Sequence, residues 1–301
     1  MCYLCYVKLD HNDIVALVRL IDDPDQRISG QALRELATLG KSAIPYIDQE
    51  LNRTNNAVEI QHLLHLQREI KFQSAYDELK DWLASDEKDL LKGVSIIAEA
   101  HFDGFDALAF AHSFDKLIAD TWKELNPRQT SFEVINTLNT ILFDFYKLEV
   151  SEIDVLPQHA FPHIILEDRL ATSFGLGLFY AIIANKLAIP IHMVVLPGRC
   201  YLVHLNHYRN KLLFTNGTEC MDAQFFIDPL DQCRIKSLAE VTDEVKVFKE
   251  YNAHVLSPSP HSFVIKSLLQ ELILSYHCWN GSSEKSQRLE ELLSLFDTAV
   301  V

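Results

Sequence analysis

Apolar residues recur with helical period along most of the chain. Between 12 and 22, Ile14, Leu17, Val18 and Ile21 fall on one face, and Asn12 stands where it can cap the start. Residues 23–40 repeat the pattern through Ile28, Ala32, Leu33, Leu36 and Leu39, with Gly40 as the C-cap. A third short helix is expected over 41–51, Pro45 lying near its start. Residues 57–125 read as long amphipathic helices with polar breaks at Asp86–Lys88 and Asp103–Gly104. One more helix, over 130–147, takes Ser131 as its N-cap.

The pattern changes near residue 155. An extended connection carrying Pro157 and Pro162 is expected first, then a short helix or turn over 164–171. Residues 173–188 are apolar nearly all the way round: Phe174, Leu176, Leu178, Phe179, Tyr180, Ile182, Ile183 and Leu187. A helix without a polar face is a central, buried one. Gly175 and Gly177 weaken such a helix, so their role is close packing. Strands are expected over 189–196, 199–205, 211–216 and 225–230, the first two joined by a Pro197-Gly198 turn. Residues 261–279 and 283–298 form a final helical hairpin, and 235–251 carry no readable pattern. The expected fold is α+β and mainly helical, a buried central helix packed on a small antiparallel sheet.

Composition narrows the function classes. The chain has 301 residues, 48% of them hydrophobic and 23% charged, which suits a folded protein with a sizeable core. Its formal net charge of −15 repels phosphate backbones and anionic membranes, so neither nucleic acid nor membrane is an expected partner. The longest apolar run, 181–198, is interrupted by Asn185, Lys186, Pro190 and His192 and is unsuited to span a bilayer. With no basic start to the N-terminus, a cytoplasmic location is expected. The six cysteines are scattered and read as reduced thiols. Cys2 and Cys5 make a Cys-x-x-Cys without a second ligand pair; His62 and His65 have Glu59 and Glu69 near them in sequence but read as exposed polar residues of a helix, and His204 and His207 flank a turn. No metal or cofactor is therefore expected, and no phosphate loop or Gly-x-Ser-x-Gly elbow occurs.

The order of elements carries a resemblance. The block 164–205, from "IILEDRLATSFGLGLFYAIIANKLA" through "IPIHMVVLPGRCYLVHL", with "FFIDPLDQC" at 225–233, resembles the bacterial SirB-type branch of the transglutaminase-like superfamily. Residues 12–52, with "DDPDQRI" at a turn and "LGKSAIPYI" opening the next helix, resemble a HEAT repeat. The resemblance implies three regions: a HEAT-like helical region over 1–125, a papain/transglutaminase-like core over 126–240, and a helical hairpin over 241–301. It also implies a site. In that core a Cys opens the central helix, a His on the second strand is its base, and an Asp on the third strand orients the His. Here those positions fall on Ser173, Arg199 and Asp228, which are expected to share one cleft.

Arginine is protonated at any working pH and cannot take a proton from Ser173. An Arg199–Asp228 salt bridge is the simpler expectation. Successive strand residues face opposite sides, so if Arg199 faces the cleft, Cys200 and His204 face away. The resulting reading is a degenerate Cys-His-Asp site and a non-catalytic protein that binds a protein, a peptide or an acidic ligand. Two alternatives stay open. One is a hydrolase or acyl transferase using Ser173 or a nearby thiol. The other is an adaptor acting through the helical regions.

Overall fold

The computed structural model describes residues 11–151, 156–206, 223–246, 256–279 and 284–298. The chain forms two compact units. The first comprises residues 1–84 and 96–105, the second residues 85–95 and 106–301. The expected strand at 211–216, Cys2, Cys5 and His207 lie outside the described residues.

In the first unit, α1 (His11–Arg19), α2 (Gln26–Leu39), α3 (Ile44–Leu51) and α4 (Ala57–Ala84) follow the apolar periodicity closely. Ile14, Val18, Ile21, Leu36, Ala43, Ile47, Leu63, Leu66 and Ile70 make one buried cluster. Gly40 adopts φ +57, the left-handed conformation that glycine enters without steric cost. The second half of α5 (Leu90–His101) belongs to this unit, where Lys41 bridges Glu78 and Glu99.

The second unit is helical apart from its small sheets, which makes the fold mainly helical α+β. It contains α6 (Ala107–Glu124), capped by the Asp106 side chain, and α7 (Ser131–Asn139). The cap of α7 is Thr130 and not Ser131. Glu133 sits three residues after Thr130, so each side chain takes the other's backbone N–H in a capping box. The expected single helix over 130–147 also changes character, running on from α7 as a π-helical turn, Thr140–Phe145.

Two-residue strands β1 (Glu149–Val150) and β2 (Leu170–Ala171) pair in parallel around α8 (Pro162–Asp168). The connection expected to be extended is instead a 3-10 turn over Pro157–Ala160. The larger sheet runs β3 (Ile191–Leu196), β4 (Arg199–Leu205), β5 (Ala223–Asp228) and β6 (Arg234–Lys236), each strand antiparallel to the next. Gly198, at φ +68, closes the β3–β4 turn. Sequence reading missed β6 and the following α10 (Leu238–Val245), yet a local signal was present. Ser237 and Glu240 form a capping box at the start of α10. Helices α11 (His261–Trp279) and α12 (Glu284–Thr298) pack together as the terminal hairpin.

At the centre lies α9 (Ser173–Lys186), in which every residue from Phe174 to Ala184 is buried. Its glycines explain how it fits. A Cβ on Gly175 would stand 2.5 Å from the His159 carbonyl oxygen and 2.6 Å from Ala160 Cα. A Cβ on Gly177 would stand 3.1 Å from Cys200 Sγ. Gly175 therefore lets the 3-10 turn lie against the first turn of α9, while Gly177 lets β4 approach. Gly175→Ala should lower unfolding stability by about 3 kcal/mol, because backbone and not a movable side chain blocks the methyl. Gly104→Ala, with nothing within 4 Å of its Cβ position, should stay within about 0.5 kcal/mol of the parent. Urea denaturation of the two variants checks the contrast.

Candidate active site

Ser173 is the first residue of α9. Thr172 caps the helix, its Oγ1 accepting from Gly175 N at 2.9 Å. Thr172 N in turn donates to the His159 carbonyl at 3.2 Å, which ties the cap to the 3-10 turn. The His159 ring is buried and held at both nitrogens, Nε2 lying 3.0 Å from Asp168 Oδ2 and Nδ1 beside the Leu156 backbone. That turn is thereby fixed over the end of α9.

A cavity of about 240 Å³ opens at this end of the helix. Ser173, Thr172, Arg199, Cys200 and Glu271 line it. Ser173 and Arg199 thus share a wall of this cavity, and Asp228 is not among its lining residues. Asp228 is 1% exposed and is joined to the cavity through Arg199, whose Nη2 lies 2.7 Å from Asp228 Oδ2.

Cys200 does not point away from the cavity. Its Sγ donates to the Ser173 carbonyl oxygen at 3.5 Å and sits beside Gly177, so Cys200 occupies the α9 face of β4. Alternation then puts Tyr201, Val203 and Leu205 on the opposite face, where they pack with Val241 and Val245 of α10. Arg199 opens the strand directly after the Pro197-Gly198 turn, and from that end its long side chain borders the cavity while its guanidinium reaches Asp228. His204 shares the Cys200 face and stacks on Phe225, ring centres 4.8 Å apart.

The Arg199–Asp228 pair belongs to a larger network. Lys236 Nζ reaches Asp228 Oδ2 at 2.7 Å and Glu244 Oε1 at 2.5 Å. Arg199 Nη2 lies 3.2 Å from Glu244 Oε2, and Tyr201 Oη donates to the same oxygen at 2.6 Å. Asp228 Oδ1 accepts from Leu230 N at 3.1 Å. The Arg199 guanidinium also sits over the Tyr201 ring, 4.9 Å from its centre. Two cations thus meet two carboxylates, and the network is neutral. Lys236 and Glu244 escaped sequence reading, because β6 and α10 had not been recognised; Tyr201 lies on the expected strand 199–205, but the partner of its hydroxyl is on α10.

For Arg199, Lys236 and Glu244, burial opposes the charged form and pairing outweighs it. Burial would lower the Arg199 and Lys236 pKa values, but the Asp228 and Glu244 carboxylates raise both above their ordinary positions. Burial would raise Glu244, yet hydrogen bonds from Lys236 and Tyr201 and the charges of Lys236 and Arg199 bring it below its ordinary 4.5. For the Tyr201 hydroxyl, burial and the bond to Glu244 act together and push it well up. Arg199 is accordingly a fixed cation with no capacity to accept a proton.

Two outcomes follow from this network. Asp228→Asn removes the carboxylate that Arg199 and Lys236 share and should cost about 3 kcal/mol in urea denaturation. A cost under about 1 kcal/mol would show that the pair is not held in a buried setting. The depressed Glu244 pKa contributes stability that is complete above about 4.5 and is lost as the pH falls through its lower folded value. Thermal melts from pH 6 to pH 3 should therefore show a shallower acid loss for Glu244→Gln than for the parent.

No helix among the described residues is long and apolar enough to cross a membrane. A family model described as the transglutaminase-like superfamily matches residues 109–270, more than half of the chain. No curated protein and no solved structure matches it.

Proposed function

The chain belongs to the transglutaminase-like superfamily, and we propose that within it this protein binds without reacting. In this reading it is a cytoplasmic protein of the bacterial SirB type. Ser173, Arg199 and Asp228 stand at the nucleophile, base and orienting positions of a degenerate Cys-His-Asp site. Residues 1–125 form a HEAT-like region, 126–240 the core and 241–301 the terminal hairpin.

One observation carries the reading. Arg199, at the base position, is a cation tied to two carboxylates, Asp228 at 2.7 Å and Glu244 at 3.2 Å. Nucleophilic catalysis by a hydroxyl needs a neighbouring group that accepts its proton, and a guanidinium cannot. Asp228 would orient a histidine in the family's scheme; here it holds Arg199 and Lys236. The frame around the site is retained, and with it the cavity at the start of α9. Arg199 and the amide end of α9 suit that cavity to a carboxylate group on a small ligand or peptide.

Cys200 supports the second reading, a hydrolase or acyl transferase. Its thiol lies in the cavity wall, 3.5 Å from the Ser173 carbonyl oxygen. Against it stands burial: Cys200 is 1% exposed, and its S–H is directed at that carbonyl.

The full chain incubated with a fluorescent amine donor and a glutamine peptide should give no product above buffer, and Ser173→Ala should behave identically. Turnover abolished by Ser173→Ala, or by Cys200→Ala with the fold intact by circular dichroism, would overturn the non-catalytic reading.

A further inference from the structure

A second cavity lies on the same unit, away from α9. Its volume is about 650 Å³, within the usual range for ligand sites. The last turns of α6 supply Asp120, Lys123 and Glu124 to its wall, and α7 supplies Glu133, Asn136 and Thr137. The π-helical turn adds Thr140, Ile141 and Phe145. Such turns are uncommon and are found disproportionately at functional sites. This one ends with Phe145 71% exposed, a large aromatic ring held in water at the edge of a groove.

Much of the wall is already braced. Asp120 receives Lys123 at 3.1 Å and the Tyr146 hydroxyl at 3.3 Å. The Lys123 ammonium keeps the Asp120 carboxyl below its ordinary range, so it is charged at neutral pH. Gln129 Nε2 donates to Thr137 Oγ1 at 2.9 Å, and the Glu133 carboxylate is fastened to Thr130. Three carboxylates face one ammonium across this groove, beside an exposed aromatic face. An anion is repelled there, and a plain hydrocarbon would desolvate the carboxylates without return.

We propose that this groove between α6, α7 and the π turn docks a basic, arginine-bearing segment of a partner protein. A guanidinium stacks on an aromatic ring while its edge donates two parallel hydrogen bonds to a carboxylate. Phe145 supplies the ring and Glu124 the carboxylate, with the Asn136 amide and the Thr140 hydroxyl as further acceptors. The site is separate from the Ser173 cavity, so it holds whether or not the non-catalytic reading does.

The test uses the full chain and a fluorescein-labelled hexa-arginine peptide, read by polarisation in 0.15 M salt. Phe145→Ala is the decisive variant, because it leaves the net charge of −15 untouched. It should weaken binding roughly threefold, and Glu124→Gln roughly fivefold. Glu35→Gln, an exposed carboxylate of the first unit, should change nothing. Equal affinity in the parent and Phe145→Ala would overturn the proposal, since general attraction to an acidic protein would then explain the binding. Undetectable binding would overturn it equally. Spermidine competing as well as unlabelled peptide at equal charge would replace the protein partner with a small amine.

Discussion

The close approach of α9 to its surroundings is the constraint on which the second unit rests. A helix buried on every side lies close to its neighbours, and Gly175 and Gly177 set where the approach is tightest. At Gly175 the 3-10 turn of Pro157–Ala160 comes within a methyl's breadth; at Gly177 the thiol of Cys200 does. These contacts fix the first turn of the helix between a turn held by His159 and Asp168 and a strand held by the sheet. The cavity at Ser173 is the space left beyond them. Its walls are helix, turn and strand, elements that hold the lining side chains in fixed positions.

The opposite face of the sheet answers a different demand. Asp228, at 1% exposure, is a charge that must be matched, and Arg199 and Lys236 match it. Two cations on one carboxylate would leave a surplus, which Glu244 neutralises from α10. The network therefore joins the turn end of β4, the end of β5, β6 and α10. Pairing keeps Arg199, Lys236 and Glu244 in their ionised forms.

How much of this was legible differs from element to element. The first unit was largely readable because Ile14, Val18, Ile21 and Leu36 repeat with the period of a helix and are buried, although Ile28 and Leu33 of the same expected face are exposed. Thr130 was passed over in favour of Ser131 because both residue types cap. The Glu three residues on decides between them, and counting back from Glu133 would have found Thr130. The same signal at Ser237 and Glu240 lay unread in a stretch of mixed composition, and with it went β6, α10, Lys236 and Glu244. For the site, Ser173, Arg199 and the Asp228 salt bridge were reachable from element order. The orientation of Cys200 was not, because alternation says only that neighbours differ, never which of them faces the helix.

By itself, then, the sequence determined most of the helices, the burial of α9 and the succession of β3, β4 and β5, because periodicity and capping act between residues a few positions apart. Only the tertiary structure decided that Cys200 lies on Ser173, that Glu244 reaches Tyr201 across 43 residues, and that α6, α7 and a π turn enclose a groove. Such contacts depend on distances set by packing, and no local pattern of residues encodes which side chains packing will bring together.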